Sequence, residues 1–351
     1  MDINPYLEMM IRHKASDLFF VPGAPAKIKI EGVIRSIGET PLTPTFCREA
    51  IASLIDADQE RELAESLELD FAVALEDRGR FRVNAYHQRG HRAMVLRYIR
   101  SSIPTLEELD LPAVLSRLVM HKRGIILMVG ATGSGKSTTL AAMIDHRNRT
   151  APGHIITIED PIEFVHPHQQ CIVSQRELGL DTKDYSRALK SALREAPDVI
   201  LIGEIRTRET MEAAIELAGT GHLAISTLHA NNAYQAMERI VNMFPQEMHK
   251  TLFTDLSSYM RAIVSQRLVR NTTGARCAAI EILVNTPHIA DLIRDGHIEA
   301  IEEAMQGHGE EGTVTFDEAL LKLYHKGAIS LDEALANADS APNLEAKINF
   351  G

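Results

Sequence analysis

Ile125-Ile126-Leu127-Met128-Val129-Gly130-Ala131-Thr132-Gly133-Ser134-Gly135-Lys136-Ser137 is an apolar run that breaks into three glycines and closes on a lysine and a serine. The last eight residues fit G-x-x-x-x-G-K-[ST], and a helix-capable run from Thr138 to Ile144 follows. A strand, a glycine-rich turn and a helix in that order form a ready anion cradle. Glycines let consecutive backbone N–H groups point inward, and the new helix adds the positive end of its dipole. Lys136 has the reach for β- and γ-phosphates, and the Ser137 hydroxyl is placed to ligate Mg²⁺.

Outward from this loop the chain keeps one rhythm. Short apolar runs at residues 125–129, 155–158, 199–202 and 223–227 alternate with longer helical segments. That alternation predicts an α/β unit with a parallel sheet and helices on both faces. After Gln266 the sequence reads as mostly helical, with one further strand at residues 278–284. The stretch from Gln306 to Gly312 reads as a flexible loop.

Residues 1–100 read differently. Lys27-Ile28-Lys29-Ile30, Arg80-Phe81-Arg82-Val83-Asn84-Ala85-Tyr86 and Met94-Val95-Leu96-Arg97-Tyr98-Ile99 alternate with period two, and residues 45–69 carry apolar positions at helical spacing. These predict a small α+β domain. Residues 101–112 are polar and acidic with two prolines, the signature of a linker. The expected division is 1–100, a linker 101–112, a core 113–285 and a helical region 286–351.

Three further segments bring chemistry to the sheet. Asp198-Val199-Ile200-Leu201-Ile202-Gly203-Glu204 delivers a carboxylate at the carboxyl end of a strand, where open α/β sheets hold their ligands. Glu204 there polarises water or holds Mg²⁺. Ile158-Glu159-Asp160-Pro161-Ile162-Glu163 adds acidic groups near the same edge, with Glu163 a candidate for activating water. The ordinary reading is a helix start with acidic residues complementing its dipole. Thr220-Gly221-His222-Leu223-Ala224-Ile225-Ser226-Thr227-Leu228-His229 brackets a strand with two histidines, of which His229 lies at the carboxyl end. Their spacing of seven does not suit two ligands on one turn, so a zinc site is not expected. Arg80, Arg82 and Arg97 sit on small-domain strands, either as ordinary solvated positions or as cations for a transferring phosphate.

Composition narrows the function classes. The chain has 351 residues, with 37 Lys+Arg against 48 Asp+Glu and a formal charge of −11. That balance, without a basic aromatic-rich stretch, argues against a nucleic-acid translocase. Cys47, Cys171 and Cys277 are far apart and form no C-x-x-C pair, which fits a reducing compartment. No apolar run approaches the ~18 residues of a membrane span, and the first residues carry no signal-peptide pattern. The expected location is cytoplasmic, with any membrane contact made through partners.

Together these segments resemble the type IV pilus and type II secretion ATPase superfamily. The resemblance rests on residues 130–138 (Walker A), 157–166 (Asp box), 193–206 (Walker B) and 220–232 (His box). Ser16-Asp17-Leu18, Gly79-Arg80-Phe81-Arg82-Val83-Asn84 and Gln266-Arg267-Leu268 resemble its PilT/PilU retraction branch. Ala196, the run Leu228-His229-Ala230-Asn231-Asn232-Ala233 and the tail Asp332 to Ser340 are similar to the PilU side. The segment His288-Ile289-Ala290-Asp291-Leu292-Ile293-Arg294-Asp295 keeps the scaffold of the A-I-R-N-L-I-R-E stretch associated with retraction, but not all its identities.

The resemblance implies a PAS-like amino-terminal domain and a RecA-like P-loop ATPase core with a helical carboxyl-terminal tail. It implies a hexameric ring, ATP and Mg²⁺ lying between the two domains, and an inner-membrane pilus platform as the load. A PilT-type retraction ATPase is the implied partner. By the same resemblance Gly130, Thr132, Gly133, Ser134, Gly135, Lys136, Ser137 and Thr138 bind the nucleotide, with His222 as a further nucleotide-binding His-box residue. Ser137 and Glu204 serve Mg²⁺. Glu163, Glu204, His229, Arg82 and Arg97 form the catalytic set. An accessory coupling subunit is the competing reading. A pilus extension or secretion ATPase ranks lower, because the chain carries neither a longer amino-terminal region nor a four-cysteine insertion.

Overall fold

Period-two patterning builds the first of two sheets. The computed structural model describes residues 2–30, 32–75, 79–99, 102–306 and 312–350. Six strands, β1 (Asp17–Phe20), β2 (Ala26–Ile30), β3 (Val33–Ile37), β4 (Glu68–Leu75), β5 (Gly79–Gln88) and β6 (His91–Ile99), pair in the order β3-β2-β1-β6-β5-β4, all antiparallel. Phe81, Val83 and Ala85 of β5 are buried with Leu18, Phe20, Phe71, Met94 and Leu96, so one face is core. Alternation sends Arg80, Arg82 and Asn84 to the opposite face. The helical stretch expected at 45–69 is two helices, Pro44–Ala52 and Ala57–Ser66, followed by β4. The break comes where Asp56 opens a capping box with Gln59.

The second sheet is the one the glycine-rich loop predicts. Its strands are β7 (Gly124–Val129), β8 (Gly153–Glu159), β9 (Cys171–Glu177), β10 (Val199–Ile202), β11 (Leu223–Leu228), β12 (Met260–Arg270) and β13 (Arg276–Val284), in the order β13-β12-β7-β11-β10-β8-β9. Six run parallel, and β13 is an antiparallel edge. Every residue of β7 is buried, as a strand covered on both faces requires. Ile125, Leu127 and Val129 join the core under helices Arg208–Gly219 and Ala233–Asn242, whereas Ile126 and Met128 join the core under helix Lys136–Thr150. β9 and β12 are additional to the strands expected from sequence. Both carry polar residues within the strand, Ser174-Gln175-Arg176 and Ser265-Gln266-Arg267, which obscure their periodicity.

By its contacts the chain forms two units, residues 1–102 with 163–165, and residues 103–162 with 166–351. Residues 103–112, read as linker, group with the second unit because Leu106 is buried in its core. The loop expected from Gln306 to Gly312 falls largely on residues 307–311, outside the described residues. Beyond it, helices Phe316–His325, Leu331–Asn337 and Ala341–Phe350 bury Phe316, Leu320, Ala334 and Leu344 against Val269 and Ala279. No helix among the described residues is long and apolar enough to cross a membrane.

Candidate active site

Strand register decides which side chains meet. Val129 pairs with Leu228 on one side and with Ser265 on the other. Ile202 of β10 pairs with Ser226 and with Ile158. The loop from Gly130, His229, Glu204, Glu159 and Gln266 therefore all leave the sheet at its carboxyl edge. This is the edge where a parallel sheet presents its ligand crevice.

The loop has the shape its glycines permit. Gly130, Gly133 and Gly135 lie at φ of +147°, +79° and +89°, in the region that favours glycine. A Cβ on Gly130 would come 2.5 Å from the carbonyl oxygen of Gln266, and one on Gly135 2.6 Å from Gln266 Nε2. Lys136, Ser137 and Thr138 form the first turn of the helix Lys136–Thr150. Lys136 Nζ donates to the carbonyls of Gly130 at 2.7 Å and Ala131 at 2.9 Å, so its ammonium lies across the loop. Burial holds that ammonium below the usual lysine range, and the charge of Glu204 works in the opposite direction. Ser134 Oγ is buried without a hydrogen-bond partner. A glycine-walled cradle at a helix start, with one buried hydroxyl unsatisfied, fits a polyphosphate.

Glu204 is engaged at both oxygens. Arg206 Nε donates to Oε2 at 2.8 Å, and His229 Nε2 stands 3.1 Å from Oε1. Thr227 Oγ1 donates to the Gly203 carbonyl at 2.6 Å and fixes the turn that aims Glu204. Glu159 Oε1 accepts from Thr157 Oγ1 at 2.6 Å and Gln175 Nε2 at 3.2 Å, so this carboxylate is tied back to the sheet. The Tyr185 hydroxyl sits 2.7 Å from where a Cβ on Gly203 would lie. Burial first, then the charge of Asp160, pushes its phenol up to about 12. A neutral phenol beside a carboxylate turn is a donor that stays protonated.

Two clefts open from the loop. One, of about 450 Å³, is lined by Gly130, Ala131, His229, Asn231 and Arg239. The other, of about 350 Å³, runs from Gly130 to Ser134 and is closed by Gln266, Arg267, Arg276 and Asn337.

The remaining expected residues lie elsewhere. His222 sits at the amino end of β11, where its carbonyl accepts from Gly124 N at 3.0 Å and its ring meets Thr220 Oγ1 at 3.1 Å. Gly124 opens β7 and Gly130 follows its end, about 20 Å away at ~3.3 Å per residue. His222 therefore lies at the opposite end of β11 from this loop, because a parallel strand cannot bring both of its ends to one edge. Arg82, Arg97 and the exposed Glu163 belong to the amino-terminal unit. Arg82 and Arg97 are register partners on β5 and β6, so they share a face. Arg97 Nε donates to Asp17 Oδ1 at 3.0 Å, and Arg82 Nη2 lies 3.7 Å from Asp70 Oδ2.

The family model for Type II/IV secretion system proteins matches residues 1–336. The chain belongs to that family. It is 50% identical over 352 residues to the type IV pilus ATPase PilU of Pseudomonas aeruginosa, covering 100% of this chain and 92% of the relative. It is 41% identical over 344 residues to the retraction ATPase PilT of the same organism, covering 98% of this chain and 100% of the relative. Its fold matches the crystal structure of the pilus retraction motor PilT with bound ADP at a TM-score of 0.91. That match has 39% identity, over 98% of this chain and 99% of that one. As a member of this secretion ATPase family the chain has the expected α/β fold with a RecA-like core, and it falls among the pilus retraction ATPases.

Sequence reasoning passes over several residues that shape the edge. Arg206 closes the Walker B segment 193–206, two positions after Glu204, but nothing in the sequence assigns it a role. Gln266 enters only as part of a resemblance, because it lies inside β12, a strand whose polar residues hide its periodicity. Thr139 is hidden inside a helix, where no pattern sets it apart.

Proposed function

We propose that the chain is an ATP-hydrolysing motor subunit of type IV pilus retraction, PilU-like, working in a six-membered ring with a PilT-type ATPase. The observation that carries this reading is the convergence of Lys136, Glu204 and His229 on one sheet edge beside a glycine-walled loop. The backbone of residues 130–135 and the Lys136 ammonium hold the phosphates of ATP. Ser137 and Glu204 are the residues that would hold Mg²⁺, which when bound offsets charge on the phosphates. His229 orients Glu204 and senses the terminal phosphate. Glu163 is the candidate for activating water, and Arg82 and Arg97 are the candidate cations for the transferring group. The amino-terminal domain, 1–100, and the core, 113–285 with its helical region 286–351, are the two parts that move against each other, joined in sequence by residues 101–112. The load is an inner-membrane pilus platform, met from the cytoplasmic side.

A Lys136→Ala chain tests the site: loss of ATP turnover with an unchanged melting temperature supports it, and unchanged turnover refutes it. Retraction in cells carrying Lys136→Ala, compared with cells lacking the protein, tests the motor role.

One observation favours a second reading, a coupling subunit with secondary hydrolysis. In helix Pro287–Asp295 the retained Ile289 and Ile293 are buried, while of the four departures His288, Asp291 and Asp295 are exposed and Ala290 is half-buried. Most departures from the retraction stretch therefore alter a surface, and its buried isoleucines are kept. Full retraction with Glu204→Ala in this chain alone, beside an intact PilT-type partner, would favour coupling.

A further inference from the structure

Gln266 is a buried polar side chain with 3% exposure, at the position where β12 passes the loop. A buried amide costs free energy unless it is hydrogen-bonded, and an apolar residue of similar volume would carry no such cost. What an amide adds is direction. Its Oε1 accepts from Thr139 Oγ1 at 2.7 Å, and both partners are buried. Thr139 lies in the first turn of the loop's helix, three residues after Lys136. In a helix a threonine hydroxyl otherwise turns back to the carbonyl four residues earlier, which here is Gly135. The bond to Gln266 draws it away from that carbonyl. The amide also stands against Gly135, and the Gln266 backbone carbonyl stands against Gly130, at distances that leave no room for a Cβ.

One residue thus meets the first glycine of the loop, the last glycine and the helix start. We propose that Gln266 is a positioning residue for the phosphate loop. It sets the loop's width through its contacts at Gly130 and Gly135 and fixes the helix behind Lys136 and Ser137 through Thr139. The proposal rests on the nucleotide reading of that loop and extends it to a residue outside the motif.

The test uses the full chain and measures binding of ADP and ATP with Mg²⁺, steady-state KM and kcat, and melting temperature. Gln266→Leu removes the acceptor at similar volume, and is expected to raise KM at least tenfold with a smaller change in kcat. Gln266→Glu keeps the acceptor for Thr139 but sets a carboxylate beside the loop. It is expected to lower the melting temperature, because a buried carboxylate costs more than a buried amide, and to weaken ATP more than ADP, because ATP carries more negative charge. Thr139→Val is expected to weaken binding as Gln266→Leu does, and the double variant to be no weaker than the worse single one.

Unchanged affinities with a lowered melting temperature in Gln266→Leu would overturn the proposal and leave Gln266 a packing residue. Should Gln266→Leu not fold, Gln266→Glu and Thr139→Val decide the matter instead: equal loss for both nucleotides in the first, or none in the second, overturns it. Lys136→Ala separates the two levels. If it binds nucleotide like the parent, the reading of the loop fails and this proposal falls with it. If it loses binding while every Gln266 and Thr139 variant binds normally, only this proposal fails.

Discussion

Glu204 and His229 meet at 3.1 Å, and Arg206 holds the other oxygen of the same carboxylate at 2.8 Å. Two strands that are neighbours in the sheet thus end in side chains that meet each other. Glu204→Gln is expected to cut kcat by at least ~100-fold, the usual scale for a lost acid–base or metal-holding carboxylate, while ATP still binds. His229→Ala is expected to cost roughly tenfold in kcat, since Arg206 still holds Glu204. Single-turnover hydrolysis with a fluorescent nucleotide separates binding from chemistry. Wild-type kcat in Glu204→Gln would refute the assignment.

Gly135→Ala strikes the loop by two routes. Its φ of +89° disfavours any Cβ, and the added atom would meet Gln266 Nε2 at 2.6 Å. The left-handed backbone alone costs about 1 kcal/mol. The expected outcome is a weakening of ADP binding by more than tenfold with a drop of a few degrees in melting temperature, read by calorimetry and thermal unfolding.

Glu281 gives a pH-dependent test. Its Oε1 accepts from Ala233 N at 2.7 Å and Ser265 Oγ at 2.9 Å, and burial pushes its carboxyl up to about 7. A carboxyl with a raised native pKa binds its proton more tightly folded than unfolded. Its contribution is therefore fully present below about pH 4.5 and is lost as pH rises through 7. The loss is on the order of 3 kcal/mol. Glu281→Gln keeps an acceptor for both donors and removes the titration. It is expected to be more stable than the parent at pH 8, with the difference shrinking as pH falls towards 5. Denaturant unfolding across that range measures it, and a constant difference would count against the assignment.

Arg267 holds the carboxyl-terminal helices. Nη1 donates to the Asn337 carbonyl at 2.9 Å, Nη2 donates to Asp339 Oδ1 at 2.6 Å, and the guanidinium lies 3.8 Å from the Phe316 ring centroid. A charged hydrogen bond and a stacked ring together are worth about 2 kcal/mol. Arg267→Ala is expected to lose that much and to speed hydrogen exchange in residues 331–340 more than elsewhere. Arg267→Lys is expected to recover less than half, because an ammonium cannot make the forked contact.

Much of this molecule is legible in its sequence, for a physical reason. The runs at 125–129 and 199–202 are apolar without interruption because strands covered on both faces have no wet side. The loop from Gly130 announces itself because its geometry excludes side chains, and Glu204 because a strand ends in a charge. What is hidden depends on register. Nothing in the order of residues says that Ser265 pairs with Val129, and so nothing places Gln266 against Gly130. The helical spacing at 45–69 conceals a break, since Asp56 and Gln59 satisfy each other across the start of a new helix and leave the apolar rhythm intact.

Gln266 and Arg267 are consecutive on an extended strand, so their side chains leave by opposite faces. One grips the loop and the other the final helices. A pull that alters the hold on residues 337–339 is thereby applied one peptide bond from the floor of the loop. If such tension changes how tightly a nucleotide is held, thermodynamic reciprocity requires the nucleotide to change how firmly those helices are held, by the same factor. Load and fuel would then read each other across two residues.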